Sequence, residues 1–399
     1  MTSKFPDHSS IAGINFFKEL KPQNLAFDMK TFVEIKSLIC ELLILIFLFI
    51  SCDCSESISA DQENLDKDIF LVATSSKRWT GLAVSNTSRL FVNYPNWSAD
   101  HSISVAEVNG NSEATPYPDA EWNSWMKGMD PATHFICVQS VFIDKNNFLW
   151  VVDAANIQRD GEYKGVVDGG AKLVKIDLVA NAVVQTIIFQ QPVIKPTSYL
   201  NDIRIDEVRN IAYLTDSNEG AIIVVDLVAG TSRRVLSNDA STKSENKILT
   251  VEGEPYRNGH GEYPVIHADG IALNADRTQL YWRALTGESL YRVATSAIND
   301  ASLSEADLST QVDKLGPFPS SDGMIFGYYN DLYMASVEEN AIRAYDGGND
   351  SRLIRQSKDL KWPDSFSLGA DGYLYFTTSQ IHITHPSEPY KIFKIQVRF

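Results

Sequence analysis

The chain has 399 residues, 44% of them apolar, enough to bury a large core. Its 51 acidic and 35 basic residues give a formal charge of −16. That balance speaks against nucleic acid, because phosphate recognition needs a basic surface, and favours a neutral or cationic partner. The four cysteines, Cys40, Cys52, Cys54 and Cys137, have no zinc-type spacing, and a core of this size needs no disulfide scaffold.

In chain order, the first informative stretch is MKTFVEIKSLICELLILIFLFISCDC, which opens at Met29. Lysines come first, then an apolar run too short for a comfortable membrane span, then a small residue and a cysteine. This is the layout of a secretory signal. The ending FISC at 49–52 resembles a lipobox with Cys52 as the lipidated residue, although Glu41 interrupts the run and Phe49 stands where leucine is usual. An uncleaved membrane anchor is the alternative. The expectation is therefore a signal or lipoprotein-type segment over 1–54, with the true start at Met29, and a flexible polar tether over 55–67. Residues 68–399 would then be extracytoplasmic, secreted or held to a membrane by the lipid.

From residue 68 onward one pattern recurs six times. The copies are TGLAV at 80–84, QSVFI at 139–143, NDIRI at 201–205, DGIAL at 269–273, DGMIF at 322–326 and DSFSL at 364–368. A polar residue leads each copy, and apolar residues fill the third and fifth places. An aromatic-rich run follows each one (LFV, LWVV, AYLT, LYWR, LYMA, LYFT), and a third apolar run usually comes after that. Alternation with a period of two means strands with one buried face. Six small sheets that cannot hide their faces alone do so by packing around an axis, so the sequence predicts an all-β, six-bladed β-propeller. DIFLVATS at 68–75 has no partner nearby and is expected to close the ring as the outer strand of the last blade, beside IFKIQV. A β-sandwich is the bland alternative.

The first residues of the inner strands, Thr80, Gln139, Asn201, Asp269, Asp322 and Asp364, should converge at the mouth of the channel. Carboxyls crowded there repel, and their pKa values rise unless a cation or donor neutralises them. An all-oxygen ring of this kind suits a calcium or magnesium ion, or simply lines a water-filled channel. Asp202 and His267 sit beside the ring, and His267 could act as a general base or be only a hydrogen-bonded loop side chain. Asp153 and Asp216 end second strands and read as structural acceptors of backbone hydrogen bonds. Two long loops, 109–138 and 237–266, are rich in aromatic residues; in them Tyr117 and Tyr256 are the expected ligand contacts, while Trp122 and Trp125 read as packing. Gly-rich phosphate loops, GxSxG elbows and HExxH motifs do not occur.

The segments PYPDAEWN, VQSVFIDKNNFLWVVD, AKLVKIDL, LNDIRIDEVRNIAYLTDS and HADGIALNADRTQLYW resemble the major royal jelly protein and yellow family from about residue 68 to the C-terminus. The resemblance implies a secreted six-bladed propeller. Insect members are associated with pigment conversion, amine binding or nutrition, so it implies no single reaction. The chain is more distantly similar to the gluconolactonase and regucalcin propellers. That likeness implies a divalent metal at Asp269 and Asp322 and a substrate-side role for Asn201. Thr80 and Gly81 stand where that group carries a metal-binding glutamate.

The expected function is binding of a small polar or aromatic molecule at the channel mouth by Gln139, Asn201, Asp269, Asp322, Asp364, Tyr117 and Tyr256. One alternative is a metal-assisted lactone hydrolase or quinone-type isomerase in which His267 or Asp202 moves the proton. The other is a non-catalytic propeller that binds proteins on its blade faces.

Overall fold

A computed structural model describes residues 68–159 and 162–397. The chain divides into units 1–61 and 62–399, and every described residue belongs to the second. The signal-like segment, its lipidation candidate Cys52 and the tether lie outside the described residues. Among the described residues no helix is long and apolar enough to cross a membrane.

Six antiparallel sheets of four strands form the blades. Blade 1 is Leu82–Val84, Leu90–Asn93, Val105–Val108 and Ala114–Pro116; blade 2 is Val138–Ile143, Phe148–Asp153, Lys172–Asp177 and Ala182–Ile188. Blade 3 is Leu200–Asp206, Ile211–Asp216, Ala221–Asp226 and Thr231–Val235; blade 4 is Ala268–Leu273, Gln279–Ala284, Leu290–Ala294 and Asp313–Leu315. Blade 5 is Ser321–Phe326, Leu332–Ser336, Ala341–Tyr345 and Arg352–Gln356. Blade 6 is Pro363–Leu368, Tyr373–Thr378 and Tyr390–Gln396, completed by Ile69–Ser75 from the start of the propeller. In that closing pair Ile69 lies opposite Ile395 and Ser75 opposite Tyr390. The short helices α1 (Thr295–Asn299) and α2 (Glu305–Ser309) lie between the last two strands of blade 4.

The inner strands pack side by side in cyclic order, blade 1 against blade 2 and on round to blade 6 against blade 1. Each pair of neighbouring blades shares one apolar cluster, because alternate residues of a strand point to opposite faces of its sheet. Ala212 and Leu214 face blade 2, for example, while Tyr213 between them faces blade 4. The other four interfaces are built the same way.

Polar side chains on second strands tie blade to blade. The Thr215 hydroxyl donates to the Asp269 carbonyl at 2.6 Å and accepts from Asp202 N at 3.1 Å. Thr377 donates to the Thr80 carbonyl at 2.6 Å and accepts from Ser365 N at 3.2 Å. Asn93 does the same between blades 1 and 2, through Gln139 O and Gly81 N. In blade 4 the equivalent place holds Arg283, fully buried, which donates to Pro319 O at 2.8 Å and Gly287 O at 3.0 Å.

Candidate binding site at the channel mouth

Every inner strand starts at the face where its second strand ends. In blades 2 to 6 the ladder between them breaks register within the first few inner residues. The leading polar residues therefore leave the ladder and turn toward the axis. The strands come very close there: a Cβ on Gly270 would lie 2.2 Å from the Asp322 carbonyl oxygen, and one on Gly323 2.3 Å from that of Asp364. That approach explains the Asp-Gly pairs.

The structure brings Gln139, Asn201, Asp202, Asp269, Asp322 and Asp364 to this end, each less than a tenth exposed. Asn201 Nδ2 donates to Asp269 Oδ1 at 2.8 Å, and Ser379 donates to Asp364 Oδ2 at 2.7 Å. Trp362 Nε1 donates to Asp322 Oδ2 at 2.7 Å. Tyr199 donates to Gln139 Oε1 at 2.9 Å and accepts from Trp97 Nε1 at 2.7 Å. Thr80, the sixth leading residue, is turned into the wall, its hydroxyl donating to Gln139 O at 3.0 Å.

Burial raises the pKa of all four acids. Asp322 is pushed up to about 7 by burial, with the Trp362 bond opposing and the charge of Asp202 adding to the rise. Asp269 is held well above the carboxylate range by burial, then by Asp322, Asp202 and Asp364. Asp364 follows by burial and the charge of Asp322. For Asp202, burial is countered by Arg204 and a bond from Ser140. Asp269, Asp322 and Asp364 titrate together rather than one by one.

Arg204 escaped the sequence reading. Only 7% exposed, it extends from blade 3, donates to its own strand at Ile203 O and to Met324 O of blade 5, and lies over the Phe142 ring of blade 2 at 5.3 Å.

A long loop packs against this end. Residues 243–266 run from blade 3 across blades 4 and 5 to blade 6. Lys247 pairs with Glu338 at 2.6 Å, Glu252 meets His382 at 3.2 Å, and Leu249 and Val251 pack with Val337 and Trp362. Tyr256 stands edge-on to Trp362 at 5.1 Å, and His382 stacks on the same indole at 5.8 Å. Trp362 has φ 56 and Gln380 φ 45, in the left-handed region. A cavity of about 210 Å³, lined by Asn96, His101, Asn123, Trp125 and Phe135 among others, touches none of the channel acids.

Of the expected site residues, Tyr117 is placed elsewhere, and His267 is engaged by its neighbours. Tyr117 follows the outer strand of blade 1 and is buried against Phe91 at 4.7 Å, with its hydroxyl on Asn181. The segment read as one recognition loop begins with that outer strand, which draws Tyr117 into the interface between blades 1 and 2. His267 lies at the rim, but Nδ1 accepts from Ser244 N at 2.9 Å and Nε2 sits 3.1 Å from Lys243 Nζ. Burial, reinforced by Lys243, pulls its pKa down to about 4. Asp153 and Asp216 do accept backbone hydrogen bonds, and pair with Lys172 and Arg234.

Among the described residues no three His, Cys, Asp or Glu side chains converge closely enough to hold a metal. Asp269 and Asp322 each commit an oxygen to a protein donor.

A profile of the major royal jelly protein family matches residues 136–395. The chain belongs to this family. It is similar to major royal jelly protein 7 of Apis mellifera, at 27% identity over 205 residues that cover 48% of this chain and 42% of the other. The chain thus matches about two fifths of that relative's length. Among solved structures, a gluconolactonase from Xanthomonas campestris superposes with TM-score 0.50 at 11% identity, covering 83% of this chain and 91% of that one. A luciferin-regenerating enzyme superposes with TM-score 0.51 at 12% identity, covering 82% and 95%. At such identities the likeness is one of fold alone.

Proposed function

We propose that this royal jelly family propeller binds a small polar or aromatic molecule at the mouth of its channel. The observation that carries the reading is the set of four buried acids, Asp202, Asp269, Asp322 and Asp364, lying beneath the aromatic groups Tyr199, Trp362 and Tyr256. Acids whose charge is suppressed by burial gain a partner when a hydrogen-bond donor or cation enters, and flat rings beside them hold an apolar or planar body.

The test is the double variant Asp269→Ala/Asp322→Ala against the wild-type chain, with a panel of aromatic amines, catechols and polyols, read by calorimetry. At least one probe should bind the wild type and lose its affinity in the variant. Unchanged affinity in a folded double variant rejects this site.

The reading includes an extracytoplasmic location, with Cys52 carrying a lipid, supported by the order of charges and apolar residues from Met29. Incorporation of labelled fatty acid that is lost in Cys52→Ala would bear it out; no incorporation by the wild type would reject it.

A further inference from the structure

Four nearly buried acids within electrostatic reach of one another need positive charge or bound protons. The gluconolactonase-like expectation supplies that charge as a divalent ion, and the geometry does not support it. Blade 1 offers Thr80 and Gly81 in place of a carboxylate, and Thr80 is spent on Gln139 O. Asp269 Oδ1 is taken by Asn201, Asp322 Oδ2 by the Trp362 indole, and Asp364 Oδ2 by Ser379.

The channel does contain a cation. At the fourth position of the inner strands the residues are Ala83, Phe142, Arg204, Ala272, Ile325 and Ser367, so Arg204 is the one charged residue of that layer. It lies two residues along the strand from Asp202, roughly 7 Å at strand rise. Its guanidinium touches the inner strands of blades 2, 3 and 5, so it crosses the channel rather than lining it. Both of its hydrogen bonds go to backbone carbonyls, so neither pairs its charge with a carboxylate, and its Nε is buried without a partner. The acid it acts on is Asp202, which in turn acts on Asp269, Asp322 and Asp364.

We propose that Arg204 is the built-in cation of the channel: its guanidinium floors the acid ring and supplies from within the chain the positive charge that a bound divalent ion would otherwise provide, so the mouth operates metal-free. Arg204 acts here as a positioning residue, holding the acids in place by charge. The inference stands whichever small molecule the mouth binds.

The test is calorimetric titration of the full chain with calcium, magnesium, manganese and zinc chlorides, paired with melting curves with and without chelator. The wild type should show no saturable binding up to millimolar ion and no chelator-dependent melting point. Arg204→Gln keeps a donor for Met324 O but removes the charge; it should bind a divalent ion at least tenfold more tightly than the wild type and melt higher in its presence. Arg204→Lys, which keeps the charge, should stay indifferent, and it carries the test alone if the glutamine variant does not fold. One ion bound per wild-type chain would overturn the proposal. So would a folded Arg204→Gln protein as indifferent to ions as the wild type, or ion binding gained by Arg204→Lys.

Discussion

The indole of Trp362 and the carboxyl of Asp322 meet at 2.7 Å, and the bond links the floor of the mouth to the loop above it, because Tyr256 and His382 pack on that same indole. Replacing Trp362 with phenylalanine keeps the ring contact and removes the donor. Leaving a buried acceptor without its partner costs about 1–3 kcal/mol. The bond pulls the Asp322 pKa down, so the variant should carry a still higher value. Denaturant melts and a carboxyl-resolved NMR titration measure the two effects; an unchanged Asp322 pKa would show that the bond is not made in solution.

Stability should fall as pH rises through neutrality. Asp322 holds its proton to about 7 when folded, against an ordinary carboxyl value of 3.8, so the folded state binds the extra proton between those limits. Its contribution is complete below about 4 and is lost as pH climbs through 7. Asp269 and Asp364 act in the same direction. His267 opposes them: lowered to about 4 from 6.5, it favours the folded state above 6.5 and loses that contribution as pH falls toward 4. The acids alone therefore govern the window from 6.5 to 8. The melting point should drop across it, and Asp322→Asn, which still accepts from Trp362, should flatten the drop and be the more stable protein at pH 8.

The threonine ties between blades should matter equally at distant points of the ring. Thr377→Val and Thr215→Val are near-isosteric, and each removes one bond to a neighbouring blade and one within its own. Each should cost about 1–3 kcal/mol in urea unfolding. The two sites share no partner, so the double variant should lose the sum. A loss well short of the sum would mean that the two ties are not independent.

Gly270→Ala tests the crowding at the mouth. The added methyl group would sit 2.2 Å from a backbone oxygen of blade 5, so the inner strands must separate, at a cost of about 1–3 kcal/mol or more. Gly110→Ala, with nothing within 4 Å, is the matched control and should be close to neutral.

The six inner strands and the closing strand were legible because burial on one face imposes a period of two, and a one-residue slip would put every apolar side chain on the wrong face. The outer strands were harder to see. Ala114–Pro116 and Asp313–Leu315 are three residues long, too short to show a period, and the first of them carried Tyr117 away from the mouth. The rim was readable in principle: two positions before each leading residue stand Arg78, Cys137, Tyr199, His267, Ser320 and Trp362. Only His267 drew notice, because its chemistry is familiar, whereas Tyr199 and Trp362 make the bonds to Gln139 and Asp322. Arg204 was hidden for another reason. It stands fourth in a copy whose pattern concerns places one, three and five, and nothing in a strand's alternation announces that a side chain crosses an axis.

The closing pair of strands also sets how the molecule would respond to mechanical load. Ile69 and Ile395 are opposite one another at one end of the ladder, and Ser75 and Tyr390 at the other. A pull applied through residues 68 and 397 would therefore act at a single end of the seam and open it like a zipper, one rung at a time, instead of straining all the rungs in parallel. The fastening that makes the ring a closed object is strong against thermal opening by many small contributions, yet gives way at low force when pulled from its own ends.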